Sequence, residues 1–185
     1  MDRDRAARAI DEFLIAIGRD PNTEPELRGT GARVADAFID ELCSGYGVDV
    51  DALLRGNLLE GGTSRLAIVE LRDVNVTTTC PHHLMTGIGK ATIGFAPKEK
   101  IVGVGALARL LDAFARRLTL QESIGEGVVA AIERNLSPRW VACRIEMTHA
   151  CMTARGERAH GAKLVTYAMR GDAAEAMHFV KQEAP

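Results

Sequence analysis

Two alternating stretches that each run into sulfur and imidazole constrain this chain more than any other feature of its sequence. The first, LAIVELRDVNVTTT over 66–79, is rich in β-branched residues and reads as a long strand that delivers Cys80, followed by Pro81, His82 and His83. In the second, over 140–147, Val141, Cys143, Ile145 and Met147 alternate with Ala142, Arg144 and Glu146. That is the period of a half-buried strand, and it leads to His149 and Cys151. The i, i+2 spacing of His149 and Cys151 puts both side chains on one face of a strand. Together the ends of these segments, Cys80 to His83 and His149 to Cys151, offer two sulfurs and three imidazoles.

The remaining pattern supplies layers around the strands. Ala6, Ile10, Phe13, Leu14 and Ile17 recur at helical spacing ahead of Gly18. A second helix fits 30–42, with Thr30 as N-cap, Val34, Ala37, Phe38 and Leu42 inward, and Gly45 beyond its end. Another strand fits 89–95, where Ala91, Ile93 and Phe95 alternate with polar or small residues. Two consecutive helical stripes follow: Leu107, Leu110, Leu111, Phe114 and Leu118, then Ile124, Val128, Ala131, Ile132 and Leu136. A last strand fits 162–169.

This order predicts an α+β fold, an antiparallel four-stranded sheet with two helices on one face, preceded by an N-terminal helical segment. The expected division is a helical segment over 1–60 and a body over 61–185, together one structural unit. Such a sheet has two open edges, and covering them with neighbouring subunits favours a homo-oligomer.

Composition narrows the function classes. With 185 residues, 46% hydrophobic content and a mean hydropathy of -0.02, the chain can bury one sizeable core. A formal net charge of -2 gives no global field for a polyanion, so nucleic acid is not an expected partner and any phosphate recognition is local. The opening MDRDRAARAIDEF lacks the apolar core of a signal peptide, and no apolar run is long enough to span a bilayer. The expected setting is cytoplasmic, with no membrane partner. Four cysteines in a chain of this length do not make a secreted disulfide framework; metal binding, catalysis or simple burial fits them better.

The five donor side chains admit more than one arrangement. Zinc accepts thiolate and imidazole in tetrahedral positions; three protein ligands and an open fourth position activate water, whereas four protein ligands make a closed structural site. In a third arrangement the cysteines are merely buried, because a free cysteine often behaves as a small hydrophobe. Spacing alone leaves all three standing.

These residues and their surroundings resemble the GTP cyclohydrolase I family. TTTCPHHLMTGIGKATIGFAPKEKIVG follows that family's zinc motif, a Cys-Glu-His-His box after a long strand. THACMTARGER resembles its second motif of His, an aromatic, Cys and a following Ala-Arg-Gly. TGARVADAFIDELCSGY and LQESIGEGVVAAI extend the likeness, in the family's order, over about three quarters of the chain.

The resemblance implies the tunnelling fold, in which several subunits' sheets join into a barrel with active sites between neighbours, commonly a decamer of two face-to-face pentamers. It implies Zn2+ held by Cys80, His83 and Cys151, with His82 and His149 as the catalytic histidines. In that chemistry water attacks C8 of the purine imidazole ring, and the histidines protonate ring nitrogens and move protons through ring opening. Formate leaves, and the ribose rearranges and recloses to give 7,8-dihydroneopterin triphosphate, a pterin, from GTP. Gln121 and Glu122 match the pair that reads the guanine edge, where a carboxylate accepts from a ring N–H and an exocyclic amine. The run Thr119-Leu120-Gln121-Glu122 also fits a capping box. Arg109 and Arg155 match arginines that bind the triphosphate, a task suited to a guanidinium fork.

The departures from the family gather at the phosphate side. Gly105-Ala106 stand where the family has Ser-Lys, which removes a point charge and a hydroxyl near the ribose. Pro81 replaces the glutamate of the first motif, and AKLVTYAMRG replaces a Ser/Thr-rich run. Lys163 and Arg170 either supply replacement charge or are exposed strand residues. GTP is the leading substrate. A guanine or altered-purine compound with fewer phosphates is the runner-up, and a zinc-binding homologue without turnover is the third reading.

Overall fold

The alternating runs fold into neighbouring strands of one sheet. The computed structural model describes residues 1–60, 68–172 and 174–177. Its strands are β1 (Leu58–Glu60), β2 (Val69–Thr79), β3 (Thr86–Ala96), β4 (Lys100–Val102), β5 (Trp140–His149) and β6 (Leu164–Gly171). Its helices are α1 (Arg3–Ala16), α2 (Thr30–Asp36), α3 (Val50–Arg55), α4 (Val104–Ala115), α5 (Gln121–Leu136) and the one-turn α6 (Ala150–Thr153). The main sheet has the order β2-β3-β5-β6 and is antiparallel throughout, the α+β arrangement expected from the sequence. Residues 66 and 67 of the expected first strand lie outside the described residues. Among the described residues no helix is long and apolar enough to cross a membrane.

Helices α4 and α5 cover one face of this sheet. Leu107, Leu110, Leu111, Ile124, Val128 and Ile132 meet Ala91, Ile93, Phe95, Val141, Cys143, Ile145 and Met147 in one buried cluster. Each fully buried Leu, Ile or Val contributes about 1.5–3 kcal/mol relative to exposure, so the two helical stripes and the strand alternation select the same face. Leu118, expected to extend the α4 stripe, lies beyond the helix end and is exposed.

The chain divides into two compact units, Met1–Ser44 and Gly45–Pro185. This moves the division from the expected 60/61 to 44/45. Leu54 of α3 is fully buried in the core of the second unit, and β1 pairs antiparallel with β4 through Leu58↔Val102. Neither three-residue strand is long enough to display alternation, so the pairing that assigns this segment to the body has no sequence signature.

In the first unit, α1 starts on Asp2, whose side chain accepts from the Arg5 amide. The helix presents Ala6, Ala7, Ile10, Asp11 and Leu14 at its half-buried positions, while Phe13 and Ile17, which share its apolar spacing, are exposed. Gly31 of α2 lies so close to α1 that a Cβ there would fall 2.4 Å from the Ala7 carbonyl oxygen, and its amide donates to Asp11 Oδ1. Gly29, at φ 74°, takes the N-cap position expected for Thr30, which begins the helix instead. Helix α2 runs on into a π-helical turn over Ala37–Leu42.

Candidate active site

The first donor set sits on a hairpin. Strands β2 and β3 pair as far as Thr79↔Thr86, so residues 80–85 form the connecting loop. Two backbone bonds close it: the Cys80 amide donates to Met85 O at 2.9 Å, and the Leu84 amide donates to Cys80 O at 2.9 Å. Cys80 is buried at the loop's root, while His82 and His83 are exposed on it. Their rings lie edge to face with centroids 6.4 Å apart.

The second set comes from the end of β5. The strand continues past 147 to His149, opposite Gly87 of β3, and the chain then turns into α6, which carries Cys151. His149 and Cys151 therefore do not share a strand face, because the extended period stops between them. The antiparallel register brings this turn to the β2–β3 hairpin. One ligand atom from each of Cys80, His83 and Cys151 lies within 4.8 Å of the others. Tetrahedral zinc bound to two thiolates and an imidazole places its donors roughly 3.5–3.8 Å apart, so the group fits zinc after side-chain shifts of about 1 Å.

His149 is half-buried, and its Nε2 lies 2.8 Å from Gln121 Oε1. Its ring lies against Gly87, where a Cβ would come within 2.8 Å of Nδ1. Burial pushes the imidazole pKa below its ordinary value, and the Glu122 carboxylate opposes that shift.

Gln121 is only 2% exposed. Its Nε2 donates to Ile145 O at 2.9 Å, Leu164 O at 3.1 Å and Thr166 Oγ1 at 3.1 Å. The side chain expected at the guanine edge is thus engaged within the protein. Glu122 is exposed in the first turn of α5, where a carboxylate also complements the helix dipole. The capping box does not form: Leu120 is the N-cap residue and no side chain caps it. Glu122 borders a shallow cavity of about 190 Å³ with Gly125, Glu126, Thr166, Tyr167 and Ala168.

The expected phosphate ligands have different partners. Arg155 Nη1 is 3.1 Å from His83 Nε2, and because a guanidinium only donates, that nitrogen of His83 is the acceptor. Arg109, exposed on α4, donates to Asn57 Oδ1 at 3.3 Å. Ala106 is buried in the core, whereas Gly105 is exposed. Lys163 pairs with Glu146 at 2.7 Å and Arg170 with Glu126 at 2.6 Å, so both sources of replacement charge are held in ion pairs. The sequence reading missed Asn57, Gly87 and Thr166, whose places depend on pairing and packing between remote segments.

The family model described as GTP cyclohydrolase I matches residues 6–183. GTP cyclohydrolase 1 of Bartonella henselae is 40% identical over 163 residues, covering 88% of this chain and 78% of that protein. GTP cyclohydrolase 1 of Leptospira biflexa is 36% identical, with 88% and 86% covered. The protein of the same name from Leifsonia xyli is 38% identical over 175 residues, with 94% and 90% covered.

Proposed function

Because the chain belongs to the GTP cyclohydrolase I family, we propose that it is a zinc-dependent hydrolase that opens the imidazole ring of a guanine nucleotide, with GTP as the leading substrate. The products are then formate and 7,8-dihydroneopterin triphosphate. The observation that supports this reading is the convergence of Cys80, His83 and Cys151 from a hairpin loop and a helical turn remote in sequence.

Cys80, His83 and Cys151 would hold the zinc, which would supply a Lewis acid that makes water a nucleophile at neutral pH. His82 and His149, each within two residues of a ligand, donate protons to the ring nitrogens, which keep them as the ring opens, and regain protons from the attacking water. Glu122 accepts from the guanine N–H and amine, a charge-assisted pair that adenine cannot make. Arg109 and Arg155 hold phosphate oxygens, for which Arg155 exchanges its bond to His83 for one to substrate. The same reading carries active sites built between subunits of a homo-oligomer.

A second substrate reading, a guanine compound with fewer phosphates, is favoured by one group of observations. Ala106 is turned into the core, and Lys163 and Arg170 are held by carboxylates. Incubating the metal-loaded protein with GTP, GDP, GMP and guanosine, while following formate and pterin fluorescence separately, tests both. Turnover of GTP to both products supports the first reading. Formate from the shorter compounds without a pterin supports the second, and no formate from any of them overturns both.

A further inference from the structure

The Gln121 amide has only one orientation that satisfies its neighbours. Backbone carbonyls accept and never donate, and two of them, Ile145 O and Leu164 O, lie 2.9 and 3.1 Å from one end of the amide. Turning the amide over would set its oxygen against both and bury three acceptors without a proton between them. The NH2 group therefore faces the carbonyls, and Oε1 faces His149 Nε2 at 2.8 Å. An amide oxygen can only accept, so the proton in that contact belongs to His149.

We propose that Gln121 is a positioning residue, which fixes the proton of neutral His149 on Nε2 and leaves Nδ1 as the nitrogen that takes up a proton during the reaction. This rests on the reading of His149 as a proton carrier, and it removes the Gln121 side chain from guanine recognition, leaving that to Glu122. Two further features support it. Gln121 is buried and its amide is anchored from two strands, by Ile145 of β5 and by Leu164 and Thr166 of β6, so the acceptor cannot follow the ring if the ring turns. The Nδ1 and Cε1 edge of the ring lies over Gly87, where any Cβ would come within 2.9 Å of both atoms. That glycine leaves the ring the space to keep Nε2 on Gln121.

The test is 15N magic-angle-spinning NMR of the full-length, zinc-loaded protein labelled with 15N-histidine, with His149 assigned by difference from His149→Ala. The expected spectrum shows neutral His149 protonated at Nε2 with a bare Nδ1. A wild-type spectrum with the proton on Nδ1, or an even mixture of tautomers, overturns the proposal whether or not the protein turns over GTP. Removal of the acceptor in Gln121→Leu is expected to mix the tautomers and lower kcat by about 10–100-fold at nearly unchanged KM, the usual scale for losing such an orienting partner. Where Gln121→Leu does not fold, the wild-type spectrum alone decides the proposal, since it reads the proton on Nε2 or Nδ1 with Gln121 in place. A Gln121→Leu protein whose loss lies in KM, with the tautomer unchanged, makes Gln121 a substrate contact and overturns the proposal. If no guanine compound is hydrolysed, the proposed function fails, while the wild-type spectrum still decides the tautomer.

Discussion

The ring end and the phosphate end of the proposed substrate site differ in how the fold holds them. At the ring end, a hairpin loop closed by two backbone bonds, a strand terminus and a helical turn converge on one donor group, and a buried amide tied to two strands orients a histidine. At the phosphate end, Arg109 stands exposed on α4 with a 3.3 Å bond to Asn57, and the positions one turn before it are a glycine and a core alanine. Groups set by sheet register cannot move without disturbing the core, whereas an exposed helical side chain changes at little structural cost. Within one scaffold, ring chemistry can therefore persist while the choice of substrate shifts.

The largest effect that sharpens this contrast is expected from Cys151→Ala. Losing one of three ligands should leave the protein below stoichiometric zinc and lower formate release by about a thousandfold or more. Metal analysis after dialysis, beside a formate assay, checks this; full zinc retention would remove Cys151 from the ligand set. Next comes His82→Ala, expected to keep its metal and to lose about 100- to 10,000-fold in kcat, the range for a general acid–base. Because His82 is exposed, stability should stay within about 0.5 kcal/mol in a urea titration. Full activity in this variant would end the proton-transfer assignment. The smallest effect is expected from Arg109→Ala, less than about tenfold in kcat/KM for GTP, as suits a solvent-exposed phosphate contact. A loss as large as that of His82→Ala would show that substrate turnover depends on the phosphate end no less than on the ring end, and would break the comparison.

Much of this was legible because long alternation and wide apolar stripes survive as sequence patterns. β2, β5, α4 and α5 lie close to where their periodicity put them, and the donors at the strand ends could be named from the chain alone. Short-range pattern fails where geometry comes from remote partners. The Gln121 contacts lie 24, 43 and 45 residues further along the chain, so its burial depends on the registers of β5 and β6 and has no local signal. The turn at Ala150 was missed because alternation cannot announce its own end when the following residues are small or polar. The boundary at Ser44 was missed because β1 and β4 are too short to show a period. Phe13 and Ile17 belong to the apolar spacing of α1, yet α1 meets α2 through Ala7 and Asp11, where small size and hydrogen bonding allow the approach to Gly31.

The donor group has a mechanical side as well. Cys80 and His83 belong to the loop between β2 and β3, whereas Cys151 follows β5, with both covering helices intervening in the chain. A bound ion is thus a rivet through the open rim of the β3–β5 pair, where Gly87 faces His149 and the ladder has no further rungs. Stripping it with a chelator removes the link between the hairpin loop and the turn after β5, so fraying should begin at that rim, beside the histidine that Gln121 of α5 orients.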